Sequence, residues 1–119
     1  MSYDLTKAEE QVMQILWSIE KGFVKDVIEK FPDPKPAYNT VSTIIRILEK
    51  KEFIGHKAFG RTFEYFPLVS KEAYLKSSTH TLVTNYFDGS MKQLLSFFVK
   101  EKNISISELE KIMNEIKKP

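Results

Sequence analysis

The periodicity of the chain changes near residue 52, and few folds accommodate that change. Before it stands "AYNTVSTIIRILEKK", residues 37–51. Its Val41, Ile44, Ile45 and Leu48 recur at i, i+3, i+4 and i+7, the spacing of one helical face, which predicts a helix over about 38–51. After it stands "EFIGHKAFGRTFEYFPL", where Phe53, Ile54, Phe63, Tyr65 and Phe66 cluster around Gly60. Aromatic and β-branched residues about a glycine predict a hairpin, 53–58 paired with 61–66 and turning at Ala58–Gly60. Gly60 provides the positive φ such a loop needs, and Pro67 ends the second strand.

Two shorter segments precede the long helix. In "LTKAEEQVMQILWSI" the pair Thr6 and Glu9 forms a capping box, and Ala8, Val12, Ile15, Leu16 and Ile19 make an apolar stripe. A first helix is expected over about 6–19, ending before Gly22, with Trp17 in the core. "FVKDVIEKF" places Val24, Val27, Ile28 and Phe31 on one side of a second helix over 23–31. Pro32, Pro34 and Pro36 then make a stiff, non-helical connection.

Beyond Ser70 the pattern turns helical again. A fourth helix over 71–87 offers Tyr74, Leu75, Leu82, Val83 and Tyr86, although its middle, "KSSTHT", is poor in helix formers. Asp88-Gly89 stops it. A fifth, over 90–102, turns Met91, Leu94, Leu95, Phe98 and Val99 inward, with Phe97 beside them. The last starts at a second capping box, Ser105 with Glu108, and Ile104 and Leu109 have the spacing of a hydrophobic staple.

The fold class expected is mainly α with a small β-hairpin: a winged helix-turn-helix over 1–70, then a C-terminal helical dimerisation domain over 71–119. A piece of some 49 residues rarely sustains a core without a disulfide, metal or partner. The chain has no cysteine. A second copy is therefore the expected partner, and Tyr74, Leu82, Tyr86, Leu94, Leu95, Phe98, Leu109, Ile112, Met113 and Ile116 are the candidate dimerisation residues.

Composition removes several classes of function. Without cysteine there is no disulfide, thiolate metal site or thiol nucleophile. His56 and His80 are the only histidines, too few for a histidine-built zinc site. No nucleophile–base pair or glycine-rich phosphate loop is present, so neither an enzyme, a cofactor nor a small-molecule substrate is expected. No apolar run approaches the ~20 residues of a membrane span, and "MSYDLTKAEE" lacks the pattern of a secretory signal. A cytoplasmic protein is expected.

Charge adds a clue through its placement. The formal net charge is only +2, yet residues 46–61 hold Arg46, Lys50, Lys51, Lys57 and Arg61 against Glu49 and Glu52. On charge alone a solvated face is the simpler reading. The side of the third helix opposite its apolar stripe would carry Asn39, Ser42, Thr43, Arg46 and Lys50, with no acid among them. In helix-turn-helix proteins the second helix of the motif enters the major groove. Asn39, Thr40, Ser42, Thr43 and Arg46 are residue types that read base edges or grip phosphate. Lys50, Lys51, Lys57 and Arg61 would neutralise phosphates. The competing local readings are that Asn39 and Thr40 cap the helix, that Ser42 and Thr43 are neutral surface, and that Arg46 pairs with Glu49. The competing functional reading is a winged helix that binds another protein without sequence-specific DNA binding.

Several motifs carry a family resemblance. Tyr38, Thr40 and Val41 open the third helix, Leu48, Lys50 and Lys51 close it, and the hairpin follows with Phe53-Ile54, His56-Lys57, Gly60-Arg61, Phe63, Tyr65 and Pro67-Leu68. With "LTKAEEQVMQILW" before and "FFVKEKNISISELEKI" after, the chain resembles the penicillinase-repressor (BlaI/MecI/CopY) family along nearly its whole length. The resemblance implies a dimeric repressor of double-stranded palindromic operator DNA, with Thr40, Ser42, Thr43 and Arg46 on the reading helix and Lys57 and Arg61 on the wing. Departures are visible. Ile47-Leu48 stands where many members have Arg-Leu, which moves the arginine one place earlier, to Arg46. Glu52 stands where glycine is common, which implies a differently shaped helix end. Copper-responsive relatives end in paired cysteines, which this chain lacks. Relatives inactivated by a membrane-sensor-linked protease are cut at an Asn-Phe bond, and Phe97-Phe98 occupies the matching place here.

Overall fold

The computed structural model describes residues 4–117, the side chain of Lys117 excepted. The order of elements is α1 (Lys7–Ile19), α2 (Val24–Glu29), α3 (Tyr38–Lys50), β1 (Ile54–Phe59), β2 (Thr62–Pro67), α4 (Lys71–Tyr86), α5 (Met91–Glu101) and α6 (Ile106–Lys117). The chain divides into two compact units, residues 1–77 and 78–119, with the division inside α4.

In the first unit α1 begins as its sequence requires. The Glu9 amide donates to the Thr6 hydroxyl at 3.2 Å and the Thr6 amide donates to the Glu9 carboxylate at 2.9 Å. The buried stripe of α1 is Glu9, Val12, Met13 and Leu16, while Ala8 is exposed and Ile15 and Ile19 are half-buried. The apolar stripe expected for this helix is thus rotated, because Glu9 enters the interior with a partner. Lys51 Nζ lies 2.8 Å and 3.0 Å from its two carboxylate oxygens.

α2 is shorter than the 23–31 expected. It ends at Glu29, and Lys35 folds back from the proline segment to donate to the carbonyls of Glu29 (3.0 Å) and Phe31 (2.6 Å). Such a cation satisfies carbonyls that the helix end leaves without partners. α3 starts at Tyr38 behind Ala37, whose side chain offers no capping bond. Asn39 and Thr40 are therefore residues of the first turn, not caps.

α3 ends in a Schellman motif. The Phe53 amide donates to Leu48 O at 2.9 Å and the Glu52 amide to Glu49 O at 3.0 Å. Glu52 takes φ +67, the left-handed position that glycine usually fills. Burial of Phe53 against the end of α3 holds it there: Phe53 and Leu48 are both fully buried in the core. The departure at Glu52 therefore leaves the helix end in its ordinary shape.

The hairpin pairs Ile54 with Pro67 through Phe59 with Thr62. Its loop is the two residues Gly60-Arg61, one position later than the Ala58–Gly60 turn read from sequence. Gly60, with φ +65, holds the first central position, where a type II′ turn takes glycine. A bridge between Gly22 and Tyr65, with amide–carbonyl distances of 2.9 and 2.8 Å, ties the α1–α2 connection to β2. A side chain on Gly22 would meet Ile19 Cδ1 at 2.9 Å, so the break before α2 is also a close approach.

One core joins these parts: Val12, Met13 and Leu16 from α1, Val24 and Val27 from α2, Val41, Ile45 and Leu48 from α3, and Phe53, Ile54, Tyr65 and Val69 around the hairpin. The start of α4 belongs with it. Tyr74 lies 5.6 Å from Trp17 and 6.2 Å from Phe53 by ring centroids, and its hydroxyl donates to Glu10 at 3.0 Å. Trp17 Nε1 donates to Val69 O at 2.9 Å, so Trp17 sits half-buried at the edge of the core, where β2 leads into α4.

The second unit comprises the rest of α4, with α5 and α6. α4 runs unbroken through "KSSTHT" and stops at Asp88 and Gly89, both with positive φ. Ser90 and Ser105 cap α5 and α6, accepting from the amides of Gln93 (3.2 Å) and Glu108 (3.1 Å). Of its described apolar side chains only Val83 and Leu94 are buried.

Candidate nucleic-acid interface

The face of α3 turned away from the core is set by which residues the core consumes. Val41, Ser42, Ile45 and Leu48 are buried, so Asn39, Thr40, Thr43, Arg46, Ile47 and Lys50 stand exposed. Asn39, Thr43, Arg46 and Lys50 follow one another at i, i+4, i+7 and i+11 and form one stripe. The Thr43 hydroxyl donates back to Asn39 O at 2.8 Å, which leaves its methyl group outward. The side chains of Asn39 and Thr40 have no hydrogen-bond partner among the described residues, and Lys50 has no ion pair among them.

Ser42 corrects the sequence reading. It is buried rather than on the free face, and its hydroxyl lies 3.3 Å from Arg46 Nη2, one turn further on. Ser42 therefore supports Arg46 instead of reaching outward. Lys51, read from sequence as a phosphate cation, is committed to Glu9. Burial opposes the charged form of Glu9. The hydrogen bonds from Lys51 and Thr6 outweigh it and hold the carboxyl below its ordinary value.

The hairpin is held to α3 by aromatic and ionic contacts. His56 Nδ1 on β1 contacts the Glu49 carboxylate on α3, and its ring stacks on Phe63 at 4.3 Å. Glu49 is thereby engaged by the hairpin, and among the described residues no ion pair joins it to Arg46. Tyr65 is buried beneath this cluster, and burial pushes its phenol above the ordinary value, with the Glu49 charge adding to the effect. Lys57 lies 5.3 Å from the centre of the Phe59 ring. Arg61, at the turn, is exposed. Neither Lys57 nor Arg61 has an ion pair among the described residues.

Between the start of α2, the outer flank of α3 and the hairpin lies an open cleft of about 620 Å³. Tyr38, Ser42 and Arg46 line it from α3, at i, i+4 and i+8. Tyr38 was not singled out from sequence as a site residue. Its four-residue spacing from Ser42 and Arg46 was the available signal. Lys25, on α2, was equally missed and has no such signal, because only the packing of α2 on α3 brings it there.

The candidate dimerisation residues separate by position. Tyr74 lies with the core of the first unit and Leu94 is buried within its own unit. Leu109 is half-buried. Leu82, Tyr86, Leu95, Phe98, Ile112, Met113 and Ile116 are exposed, the most open being Tyr86 and Ile116, each at 77%. Among the described residues no group of three or more His, Asp or Glu could hold a metal ion. No described helix is long and apolar enough to cross a membrane.

Three helices, a hairpin packed against the third, and an open polar and cationic face on that helix define a winged-helix DNA-binding regulator. Residues 5–118 match the family model described as "Penicillinase repressor", and the chain belongs to that family. It is 27% identical over 118 residues to the methicillin resistance regulatory protein MecI of Staphylococcus aureus, covering 98% of this chain and 96% of that one. It is 25% identical over 117 residues to the penicillinase repressor of Bacillus licheniformis, covering 95% and 91%. A solved CopR repressor structure, 30% identical, covers 57% of this chain and all of its own, with a TM-score of 0.47. The protein is thus a transcriptional repressor of the penicillinase-repressor type, as the motifs around α3 and the hairpin led one to expect.

Proposed function

We propose that the protein acts as a homodimer on a palindromic operator, with α3 in the major groove and the β1–β2 hairpin along the backbone. The observation that carries this reading is the acid-free stripe of Asn39, Thr43, Arg46 and Lys50, exposed on a helix against which the hairpin packs, with Lys57 and Arg61 on that hairpin in no ion pair among the described residues. Asn39 suits an adenine edge, Arg46 a guanine edge or a phosphate, and the methyl groups of Thr40 and Thr43 a thymine methyl. Lys50, Lys57 and Arg61 take the phosphates and fix the register. Ser42 contributes from below by holding Arg46. The second unit is the dimerising one. Leu82, Tyr86, Leu95, Phe98, Ile112, Met113 and Ile116 are large apolar side chains left exposed in it, and a second copy is the partner that would cover them. The protein then works in the cytoplasm, where its operator is.

The test is a titration of the purified protein against DNA from upstream of its own gene, with scrambled DNA as control. Specific binding is expected to exceed non-specific binding by ~10³ or more at physiological salt. The slope of log K against log salt should be about −0.9 per phosphate neutralised. Equal affinity for both DNAs defeats the reading. Arg46→Ala, with unchanged sequence preference, defeats the role given to Arg46 as a base-reading residue.

A further inference from the structure

The cleft beside α3 contains more than a DNA backbone requires. Phe23, Tyr38, Phe63 and Tyr65 supply aromatic walls, and Lys25, Arg46 and Arg61 place three cations around it. None of its lining residues is acidic. Two carboxylates adjoin it without lining it: Asp26 accepts from the Phe23 amide at 2.9 Å, and Glu49 is held by His56. A volume of about 620 Å³ is that of a small-molecule site. The second observation is Tyr65. It is only 6% exposed, it lines the cleft, and its hydroxyl has no hydrogen-bond partner among the described residues. Among the described residues no buried side-chain nitrogen or oxygen lacks a partner, so this hydroxyl keeps contact with solvent and is a donor that a ligand in the cleft can use. Burial and Glu49 keep that phenol protonated and so available as a donor.

We propose that this cleft binds a small aromatic anion, a flat ring bearing a carboxylate or phosphate, and that its occupancy excludes operator DNA. The ring lies between the aromatic walls, stacked as aromatic pairs prefer. The anion accepts from Tyr65 and sits among the Arg46 and Arg61 guanidiniums, which match carboxylate and phosphate oxygens in a fork. A backbone phosphate fits this description less well, because duplex DNA keeps its flat rings stacked inside the helix. Exclusion of DNA follows because Arg46 and Arg61 cannot serve both ligands. This second half rests on the operator reading given above, whereas the binding half does not.

Phenyl phosphate titrated into the free full-length protein without DNA, followed by amide chemical shifts, separates the two. Saturable shifts confined to the cleft are expected, with affinity about tenfold or more above that for inorganic phosphate. Tyr65→Phe removes one hydrogen bond to a charged group and should weaken phenyl phosphate by about tenfold or more. Arg61→Ala, an exposed turn residue, gives a second loss should Tyr65→Phe disturb folding. In competition, phenyl phosphate at ten times its dissociation constant should raise the apparent operator dissociation constant about 11-fold. Inorganic phosphate binding as tightly as phenyl phosphate overturns the proposal, and so does wild-type affinity in both variants. A Tyr65→Phe protein that loses operator affinity but keeps phenyl phosphate overturns it too, by assigning the cleft to backbone phosphate. Binding without competition overturns the exclusion alone. Absence of any specific operator binding counts against the function proposed above and not against the cleft.

Discussion

The two units of the chain handle similar apolar material in opposite ways. The first buries Val12, Met13, Leu16, Val41, Ile45, Leu48 and Phe53 completely or nearly so around one centre, and its polar intruder, Glu9, has a cation waiting. Among its described residues the second buries only the apolar side chains of Val83 and Leu94 and leaves Leu82, Tyr86, Leu95, Phe98, Ile112 and Met113 in water. A side chain of this size gains about 1.5–3 kcal/mol from full burial. The first unit collects that gain inside one chain. The second can collect it only against another surface. The contrast supports the proposal that the first unit holds a face open to DNA and that a second copy completes the second.

The sharpest way to break this contrast is to make the exposed stripe of α6 unable to join. Ile112→Asp with Met113→Asp should convert a dimer to a monomer by sedimentation, while the circular-dichroism signal of the first unit persists. Loss of the second half-site contact then costs operator affinity on the order of 10²–10⁴. A doubly substituted protein that stays dimeric and keeps its affinity removes the second unit from the role proposed for it.

The next test touches the interior of the first unit. Lys51→Met leaves the Glu9 carboxylate buried without its cation. Removing one partner of a buried pair costs ~3–5 kcal/mol in full burial. The Lys51 side chain is 39% exposed, so about 2 kcal/mol is expected in thermal or urea unfolding. The pH dependence gives an independent reading. The Glu9 carboxyl is held below 4.5 in the folded protein. Its contribution to stability is therefore present above that value and is lost as pH falls through the lower, folded value. In Lys51→Met desolvation is opposed only by Thr6, so the acid-side loss of stability should shrink. An unchanged acid profile would show that Lys51 does not set the charge state of Glu9.

Much of the first unit was legible in its sequence because its signals are local. The capping box of Thr6 and Glu9, the glycine at Gly60 and the stripe of Val41, Ile45 and Leu48 each speak through neighbours a few residues apart. What escaped was non-local. Glu9 reads as a capping residue, and nothing nearby says that its carboxylate meets Lys51, 42 residues on. Ser42 reads as surface because its helical position lies on the border between faces; the packing of α2 and the hairpin decides the side. The cleft escaped for the same reason, since Lys25, Arg46 and Arg61 converge only after three elements have packed. In the second unit the helices themselves were legible, but periodicity marks a stripe as apolar without saying whether its own chain covers it. Met91, Leu95 and Phe98 were read as inward and are exposed.

Smaller effects test how the hairpin is set on α3. His56→Ala removes the contact to Glu49 and the stack on Phe63 without deleting a candidate DNA-contacting residue. Operator affinity should fall about fivefold, the equivalent of about 1 kcal/mol. If His56 acts by placing Arg61, the same substitution in an Arg61→Ala background should cost nothing further, because residues that share one action are not additive. Full additivity in that double-mutant cycle would mean that His56 acts on its own and not through the turn.

The smallest expected change is a gain. Glu52 holds a left-handed conformation that disfavours a residue with a Cβ by ~1–2 kcal/mol. Glycine there would relieve this strain while losing ~0.5–1 kcal/mol through the greater freedom of the unfolded chain. Glu52→Gly should therefore raise stability by about 0.5–1 kcal/mol, a few degrees in the melting temperature of a domain this size. Because the Schellman bonds of Phe53 and Glu52 use backbone atoms only, the end of α3 keeps its geometry and operator affinity should not change. The same substitution made at a right-handed position of α3, such as Lys50→Gly, should destabilise by ~1 kcal/mol. The opposite signs of two glycines placed two residues apart would then locate the helix end from stability alone, and equal signs would refute the φ assigned to Glu52.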